Sequence, residues 1–403
     1  MRTALLLVVV LTQPVQAASI ETVLVGNPGN PAQAIGFGSV GYEYRIGKYE
    51  VTNDQYVEFL NAKGGGTDPL SLYDPMTMGS TTFRGGIDRA GSFGFYSYSA
   101  KPNMGNKPVN HTTWYDAIRF INWLNNGQGS GNTEIGAYTL EGGTATPSNG
   151  PNVTRNSGAT WFMPNQDEWF KAAYYQPTDQ GGDADGYWLF PTRSNTDPTA
   201  ASASSVGDIA NPGPNVANYK FGATWNDIQA NVTTVGSAGP LSASYYGTFD
   251  QGGNVDEWNE TPFMNGLSRG YRGGNYFSPS SALAYSSSGA AGAEFEGDGF
   301  RVATLAVACS IAGDYNCNGA VDAPDYTVWR DTLGSTIDLR ANGDNTGMSA
   351  GTIDQADFNV WKANFGIHAG SGSGANRNAV VPEPATILLL VAGLAFAMIA
   401  RRP

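Results

Sequence analysis

A twelve-residue segment places oxygen-bearing side chains at the spacing of a calcium-binding loop. It has glycine at its sixth position and an apolar residue at its eighth. The side chains at positions 1, 3, 5 and 12 all carry oxygen: Asp314, Asn316, Asn318 and Asp325. Calcium is a hard cation that prefers carboxylate and amide oxygens, and this spacing is typical of loops that bind it. The sequence therefore predicts calcium at these four residues.

The residues after this loop repeat at a spacing of 32 positions. The segment 325–330 recurs as 357–362, and each copy is followed by an apolar residue and a glycine that predict the end of a helix. Counting back from the second copy, the side-chain ligand positions hold Thr346, Met348 and Ala350. An insertion offers other oxygens, unassigned by the sequence, at Asn342, Asp344 and Asn345. Calcium is expected at the first loop, and the second loop departs from the pattern.

Histidine and cysteine are too scarce for several kinds of catalysis. The chain has two histidines, His111 and His368, so the sequence supports no Ser/His/Asp arrangement. His111 precedes a predicted helix, and we expect it to pack against Trp114. The two cysteines, Cys309 and Cys317, form a close pair, which in an exported protein favours a disulfide over a metal site.

Charge and the N-terminus limit the partners and the compartment. The 403 residues carry a net charge of −13, so we expect no nucleic-acid partner. A basic start, an apolar run over 4–11 and a small-residue cleavage site predict a secretory signal over 1–18. The alternative, a short membrane anchor, fails because about 20 apolar residues are needed to span a bilayer.

The pattern of the C-terminal residues predicts a second targeting signal. A linker over 368–380 is followed by Pro382-Glu383-Pro384, an apolar run over 387–400 and two arginines. This order resembles the PEP-CTERM sorting signal of Gram-negative bacteria over 381–403, which implies an apolar helix, transient membrane contact and exosortase processing. The alternative is a plain tail anchor with its arginines inside.

Three helix starts are predicted by capping residues in the region before residue 308. Thr52, Thr113 and Asn165 each precede a helix-forming segment, with an acid or amide three positions later that can complete a capping box. Short aromatic and β-branched pieces lie among long loops over 126–160 and 179–215. This mixture predicts an α+β domain with much irregular structure.

An ordered set of motifs resembles the formylglycine-generating enzyme, or sulfatase-modifying factor, family. The matching segments are 44–56, 107–117, 163–169, 252–258 and 272–276 with 299–301. In the fourth segment Asp256 replaces the family's usual tryptophan. The resemblance implies a C-type-lectin-like α+β fold over residues 19–308.

The resemblance does not extend to the reactive residues. The family's two copper-binding cysteines fall on Ser278 and Leu283 in this sequence. Copper(I) oxidation needs thiolate ligands, so copper is not expected and no catalytic residue is assigned. Related iron-dependent enzymes of this fold use three histidines, which this chain lacks.

The resemblance also implies structural calcium in the main domain. Its Gly-Asn-x-x-Glu-Trp turn contributes ligands in the family, which makes Asn254 and Glu257 the candidates, with Asn218 as a weaker one. The alternative is an ordinary turn in which Asn254 bonds its own backbone.

Residues 309–367 resemble a type I dockerin, an all-α calcium-loop pair, which implies a cohesin-like partner by analogy. Together the segments predict an exported protein at the cell surface, outer membrane or extracellular matrix of a Gram-negative bacterium. We interpret it as a non-catalytic binding or matrix protein with calcium-stabilised loops, whose partner is an extracellular polysaccharide or a surface protein. The alternative is an enzyme, either a formylglycine-generating oxidase acting on sulfatase cysteines or a different activity in the same pocket.

Overall fold

The computed structural model describes residues 18–81, 84–292, 298–305, 311–315, 319–335, 341, 343 and 352–368. The chain divides into two compact units, Met1–Ala306 and Val307–Pro403. Among the described residues, no helix is both long and apolar enough to span a bilayer.

Several predictions concern residues outside those described. They are the leader over 1–17, the cysteine pair, two of the four first-loop ligands, the insertion in the second loop, and the tail beyond residue 368. In the two loops and the cysteine pair, the residues outside the described part are Cys309, Asn316, Cys317, Asn318, Asn342, Asp344, Asn345, Thr346, Met348 and Ala350.

The first unit combines a few helices with short strands, as the sequence predicts. Its helices are α1 (Asn53–Lys63), α2 (Trp114–Asn125), α3 (Gln166–Tyr174) and α4 (Ser280–Leu283). Single 3-10 turns lie at Gly150–Asn152, Thr178–Gln180, Pro240–Ser242 and Met264–Gly266. Its strands are β1 (Thr22–Val25), β2 (Tyr44–Gly47), β3 (Ile87–Ser92), β4 (Phe95–Ala100), β5 (Trp161–Phe162), β6 (Thr199–Ala200), β7 (Val216–Ala217), β8 (Asp256–Phe263), β9 (Ser268–Arg272), β10 (Gly289–Ala291), β11 (Asp298–Gly299) and β12 (Ala303–Leu305).

The predicted helix starts are confirmed at α1, α2 and α3. Thr52, Thr113 and Asn165 are the N-caps, and each accepts a hydrogen bond from the backbone N–H three residues later. The side chain at that third position accepts from the cap's own N–H, which completes a capping box in all three helices. The starts were predictable because the cap uses only local contacts.

The capping carboxyl of α2 makes the stability of the domain depend on pH. Asp116 is 4% exposed, and burial raises its pKa to about 6 despite hydrogen bonds from Thr113. The folded protein therefore binds more protons than the unfolded chain between about pH 4 and pH 6, so this group's stabilising contribution is lost as pH rises through that window. The loss amounts to about 3 kcal/mol.

We expect Asp116→Asn to remove this contribution to the pH dependence, because the neutral amide keeps an oxygen for the N–H of Thr113. Urea unfolding at pH 4.5 and pH 7.5 measures it: the variant should gain stability relative to the parent at the higher pH. Asp88→Asn, an exposed site on β3, is the control. Equal pH dependence in parent and Asp116→Asn would contradict the assignment.

Two four-stranded sheets organise the first unit. One has the order β1-β2-β12-β5 and is antiparallel throughout; the other has the order β10-β9-β8-β11, with β8 and β11 parallel. β3 pairs with β4, and β6 pairs with β7. The second sheet carries the candidate site, because β9 leads directly into the Arg-Gly-Gly turn and β8 holds Asp256 and Glu257.

Aromatic packing between α1 and α2 forms the main core. Tyr56 and Phe59 of α1 contact Phe120 of α2 with ring centroids 6.0 and 5.6 Å apart, and Phe300 lies 5.5 Å from Phe120. All four rings are fully buried. The motif residues at the two ends of the domain, in α1 and before β12, therefore share one core.

The second unit contains the two predicted copies of one helix. They are α5 (Ala323–Thr332) and α6 (Gln355–Asn364). The indole of Trp329 donates to the carbonyl of Asp354, the N-cap of α6, at 2.7 Å. The equivalent Trp361 donates to the carbonyl of Asp322, the N-cap of α5, at 2.8 Å. This reciprocal exchange gives the pair the internal symmetry that the 32-residue repeat predicts.

Candidate functional site at the Arg272 to Ser278 turn

The turn after β9 is shaped by two glycines in left-handed conformations. Gly273 and Gly274 have φ of 98° and 69°. A Cβ built on Gly274 would lie 2.9 Å from Leu283 Cδ1 and 3.2 Å from the Cβ of Ser278, closer than real Cβ atoms normally approach. Glycine is therefore needed for both conformation and space. The turn brings the two family cysteine positions, Ser278 and Leu283, close to Gly274.

The two positions have different surroundings. Ser278 is partly exposed on the wall of a cleft, where its hydroxyl oxygen accepts a hydrogen bond from the N–H of Asn275 at 3.0 Å. Leu283 is fully buried in an apolar cluster with Phe190, Ala217 and Tyr219. Neither side chain is a soft metal ligand, and the second faces a hydrophobic core.

The cleft beside the turn has a volume of about 410 Å³, and polar and apolar groups contribute about equally to its wall. Its chemically versatile members are Asp256, Tyr271, Arg272, Asn275, Ser278 and Ser287. In the sequence, Asp256 stands out only as a departure from the family's usual tryptophan. Exchanging a large apolar ring for a carboxyl group is the signal that could have marked this wall as polar.

Asp256 is a buried carboxyl group on the cleft. It is 6% exposed, and Asn275 donates to its Oδ2 at 2.5 Å. Burial raises the pKa of Asp256 to about 7, although the hydrogen bond from Asn275 opposes the shift. Near neutral pH the group is therefore present in both protonation states, so it can donate or accept a hydrogen bond.

Arg272 supplies a buried positive charge to the same wall. Its Nη1 donates to the carbonyls of Tyr285 and Ser287 at 3.1 and 2.6 Å, and its guanidinium lies over the rings of Phe37 and Phe170. Burial lowers the pKa of Arg272 from its ordinary value, yet the group remains a cation. The cleft is thus suited to polar ligands that both accept and donate hydrogen bonds.

The residues expected to bind calcium in the main domain lie at the start of β8, in the second sheet. Both carboxylate oxygens of Glu257 contact Arg301 at 2.5 Å, and Trp169 donates to Oε2 at 2.6 Å. The Asn254 side-chain oxygen accepts from the N–H of Thr233 at 2.9 Å. Glu257 is therefore engaged as the partner of a buried arginine and does not fit a calcium ligand in this arrangement.

Asn218 fits a cation better than the two residues of the turn. It is 1% exposed, and its Oδ1 is a buried acceptor with no hydrogen-bond partner. Its Nδ2 donates to the carbonyl of Asn231 at 2.9 Å, which fixes the orientation of the amide. Across the described residues, no group of three or more histidine, cysteine, aspartate or glutamate side chains could hold a metal ion.

The small unit buries the two described members of the first calcium loop. Asp314 and Asp325 are 2% and 0% exposed. Asp314 accepts from the N–H of Gly319 at 2.9 Å, so the first and sixth positions of the loop are in contact. Asp325 accepts from the N–H of Asp322 as part of the α5 capping box. Asp357, the equivalent residue of α6, is also fully buried.

His111 has the surroundings of a structural residue. It is 3% exposed and adopts φ of 57° just before α2. Burial lowers its pKa to about 4, so the imidazole is neutral at physiological pH and a weak general base.

The fold and turn together define a mixed α/β domain built around an Arg-Gly-Gly turn, with no cysteine at the reactive positions. Residues 21–306 match the model of the sulfatase-modifying factor enzyme 1-like domain, and the chain belongs to this family. The predicted sulfatase-modifying factor resemblance is confirmed. No match is found among the curated proteins.

Three solved structures are similar to parts of this chain. CarF is 19% identical over 72% of this chain and 99% of its own, with a TM-score of 0.47. Treponema denticola variable protein 1 is 17% identical over 72% of this chain and 93% of its own, with a TM-score of 0.41. PvdO from Pseudomonas aeruginosa is 16% identical over 72% of this chain and 92% of its own, with a TM-score of 0.35.

The C-terminal segment is also identified. Residues 380–402 match the PEP-CTERM protein-sorting motif, which confirms the predicted sorting signal. The motif indicates an exported protein of Gram-negative bacteria that is anchored at the cell surface and processed by an exosortase-type enzyme.

Proposed function

We propose that this protein is an exported, surface-associated binding or matrix protein that uses a formylglycine-generating-enzyme-like domain without its oxidation chemistry. The observation that carries the proposal is the pair Ser278 and Leu283 at the two family cysteine positions. A hydroxyl group and a buried isobutyl group cannot bind copper(I), which requires soft thiolate ligands. A family fold retains its activity only when the site is present.

The groups that line the cleft beside the Arg272 to Ser278 turn support a binding role. It presents a carboxyl group, an arginine, an amide and hydroxyl groups within about 410 Å³, a volume typical of ligand pockets. These groups recognise polar ligands by hydrogen bonds. A polysaccharide or the polar surface of another exported protein is the partner class that suits both the cleft and the location.

We also propose a fold type for each unit and a metal for the small unit. The main domain is of the C-type-lectin-like type, and the small unit is a dockerin-like pair with calcium held in its first loop by Asp314, Asn316, Asn318 and Asp325. The internal symmetry of α5 and α6 and the burial of Asp314 and Asp325 support this. Buried carboxylates are normally paired or coordinate a metal. A cohesin-like partner follows from the analogy alone.

In the main domain, structural calcium is proposed where the loop after β7, which carries Asn218, meets the turn before β8, which carries Asn254. The orphaned Oδ1 of Asn218 supports it, whereas Glu257 is occupied by Arg301. Calcium in either unit would supply positive charge to buried oxygens and hold the loops together.

We expect the full exported chain to leave the cysteine of a sulfatase-type peptide unchanged when it is incubated with oxygen and copper(I). Mass spectrometry of the peptide measures conversion to the aldehyde, with an active family member as the positive control. Ser278→Cys with Leu283→Cys restores both thiols, and copper binding by this variant alone would show that the scaffold kept its geometry. Conversion by the parent protein would overturn the proposal and make the chain an oxidase with other ligands.

A further inference from the structure

A second cavity in the described part of the first unit lies away from the Arg272 cleft, beside the N-terminal turn of α2. Its volume is about 680 Å³. Its walls include aromatic and charged side chains, among them Tyr73, Asp74, Trp114, Tyr115, Trp258 and Arg269. The oxidation chemistry of the family does not account for it, and the proposed binding cleft does not include it.

Arg269 is a buried cation on this wall. The side chain is 5% exposed, and its Nε–H, which is itself shielded from solvent, has no hydrogen-bond partner. Its Nη2 donates to the carbonyls of Gly150 and Val153 at 3.1 and 2.9 Å, and Nη1 to the carbonyl of Glu260 at 3.3 Å. These carbonyls fix the guanidinium in place but bring no negative charge. No carboxylate forms an ion pair with Arg269 in the described part of the chain.

The stacking of Arg269 on Trp114 explains how the charge is held without a counter-ion. The guanidinium carbon lies 4.0 Å from the centroid of the Trp114 ring. Burial lowers the pKa of Arg269, although Tyr115, Glu260 and Tyr138 nearby oppose the shift. An anionic group entering the cavity would add a partner for the guanidinium, because a hydrogen bond to a charged donor strengthens when water is excluded.

The other residues that line the cavity determine which kind of anion it suits. Tyr115 is half-buried, and Leu267 is 66% exposed at the same cavity, so an apolar face of a ligand has surfaces to contact. Asp74 and Thr113 offer an acceptor and a hydroxyl group, which suit a ligand rich in hydroxyl groups. A simple inorganic anion would use none of these groups and would fill little of the space.

We propose that this cavity binds a sugar that carries a carboxylate, with Arg269 contacting the carboxylate, Asp74 and Thr113 the hydroxyl groups, and Tyr115 a face of the sugar ring. Aromatic side chains commonly pack against apolar faces and keep a polar edge for hydrogen bonding. The ligand would be a unit of an acidic polysaccharide, which an exported, surface-anchored protein is positioned to meet. This site is independent of the Arg272 cleft.

Isothermal titration calorimetry of the full exported chain tests the proposal with three probes. Trigalacturonate should bind, and its neutral counterpart trigalactose should bind at least ~10-fold more weakly, because it lacks the group that contacts Arg269. Benzoate carries a carboxylate and an apolar ring without hydroxyl groups and should also bind more weakly. Benzoate binding as tightly as trigalacturonate would overturn the sugar assignment, and equal binding of the two trisaccharides would overturn the role of Arg269.

Two variants locate the site. Arg269→Gln should weaken trigalacturonate binding by roughly 10- to 100-fold. Because Arg269 also anchors backbone carbonyls, a second variant, Ala145→Trp, places a large side chain at an exposed position of the rim, and Ala145→Ser is its matched control. Loss of binding in Ala145→Trp with retention in Ala145→Ser is expected. Unchanged binding in folded Ala145→Trp, or no binding by the parent, would overturn the proposal.

Discussion

Replacing Glu257 with glutamine is expected to lower the free energy of unfolding by about 3–5 kcal/mol, since it leaves the buried charge of Arg301 without a counter-ion. Both side chains are fully buried, and two hydrogen bonds of 2.5 Å join the guanidinium to the carboxylate. Burial lowers the pKa of Arg301, but the neighbouring Glu257 outweighs it and the pKa is raised overall. Arg301 is therefore held in its charged form.

The position of Arg301 explains why the loss should be global. Its remaining donors bind the carbonyls of Gly47 and Phe249 at 2.8 Å, so one side chain connects the end of β2, a loop and β8. Removing the charge of Glu257 weakens the site at which these segments meet. Urea unfolding of the full chain, followed by tryptophan fluorescence, measures the change.

Glu21→Gln is the matched control, because it removes the carboxylate of an ion pair at the surface. Glu21 pairs with Lys48 at 2.8 Å, and its side chain is 48% exposed. Exposed pairs contribute about 0–1 kcal/mol, so little change is expected. A loss of under 1 kcal/mol in Glu257→Gln would contradict the structural role of the buried pair.

The same variant separates an ion pair from a calcium ligand. If Glu257 acts through Arg301, the loss of stability should be the same in calcium and in EDTA. If Glu257 binds calcium, as the family resemblance implies, the loss should shrink when calcium is already removed. The second result would show that Glu257 stabilises the protein as a calcium ligand and not through its contacts with Arg301.

Glu257 also shows where prediction from the sequence reaches its limit. The helix caps at Thr52, Thr113 and Asn165 depend on residues three positions apart, and the structure confirms them. The bond between Glu257 and Arg301 joins residues 44 positions apart, and no local pattern encodes it. The motif placed Glu257 in the correct turn, but only the packed core determines what its oxygens contact.

The cleft that lacks the family's cysteines shows the same limit of prediction from the sequence. The motif located Ser278 and Leu283, and the loss of thiolates was evident from residue type alone. The polar wall with Asp256 and Asn275 required the fold, because β8 and the turn after β9 meet only in the second sheet. Residue identity therefore predicts which chemistry is absent, whereas tertiary packing decides which binding surface replaces it.

Removing calcium from the full chain is expected to open the small unit while the first unit stays folded. The proposed first loop brings Asp314 and Asp325 into the interior, where two carboxylates without a cation would be costly. A ligand present at a thousandfold excess over its Kd stabilises the folded state by about 4 kcal/mol. In the described part of this unit, the hydrophobic core is a single cluster that includes Tyr315, Trp329 and Trp361.

Hydrogen exchange of the full exported chain, with and without EDTA, resolves the two units. Amides of α5 and α6 should exchange much faster in EDTA, and those of α1 and α2 should change little. The reciprocal bonds of Trp329 and Trp361 join the two helices, so both should open together even if calcium occupies only the first loop.

Asp325→Ala should reproduce the effect of EDTA in the presence of calcium, because it removes the carboxylate at the twelfth loop position. Asp331→Asn is the control on the same helix, since its side chain is 57% exposed and pairs with the neighbouring Arg330. Asp325 also completes the capping box of α5, so Asp325→Asn, which keeps an acceptor for the cap but weakens a calcium ligand, separates the two roles. If EDTA leaves α5 and α6 protected, and Asp325→Asn matches the parent in calcium, the buried carboxylates are stabilised by protein contacts alone and the loop is not a calcium site.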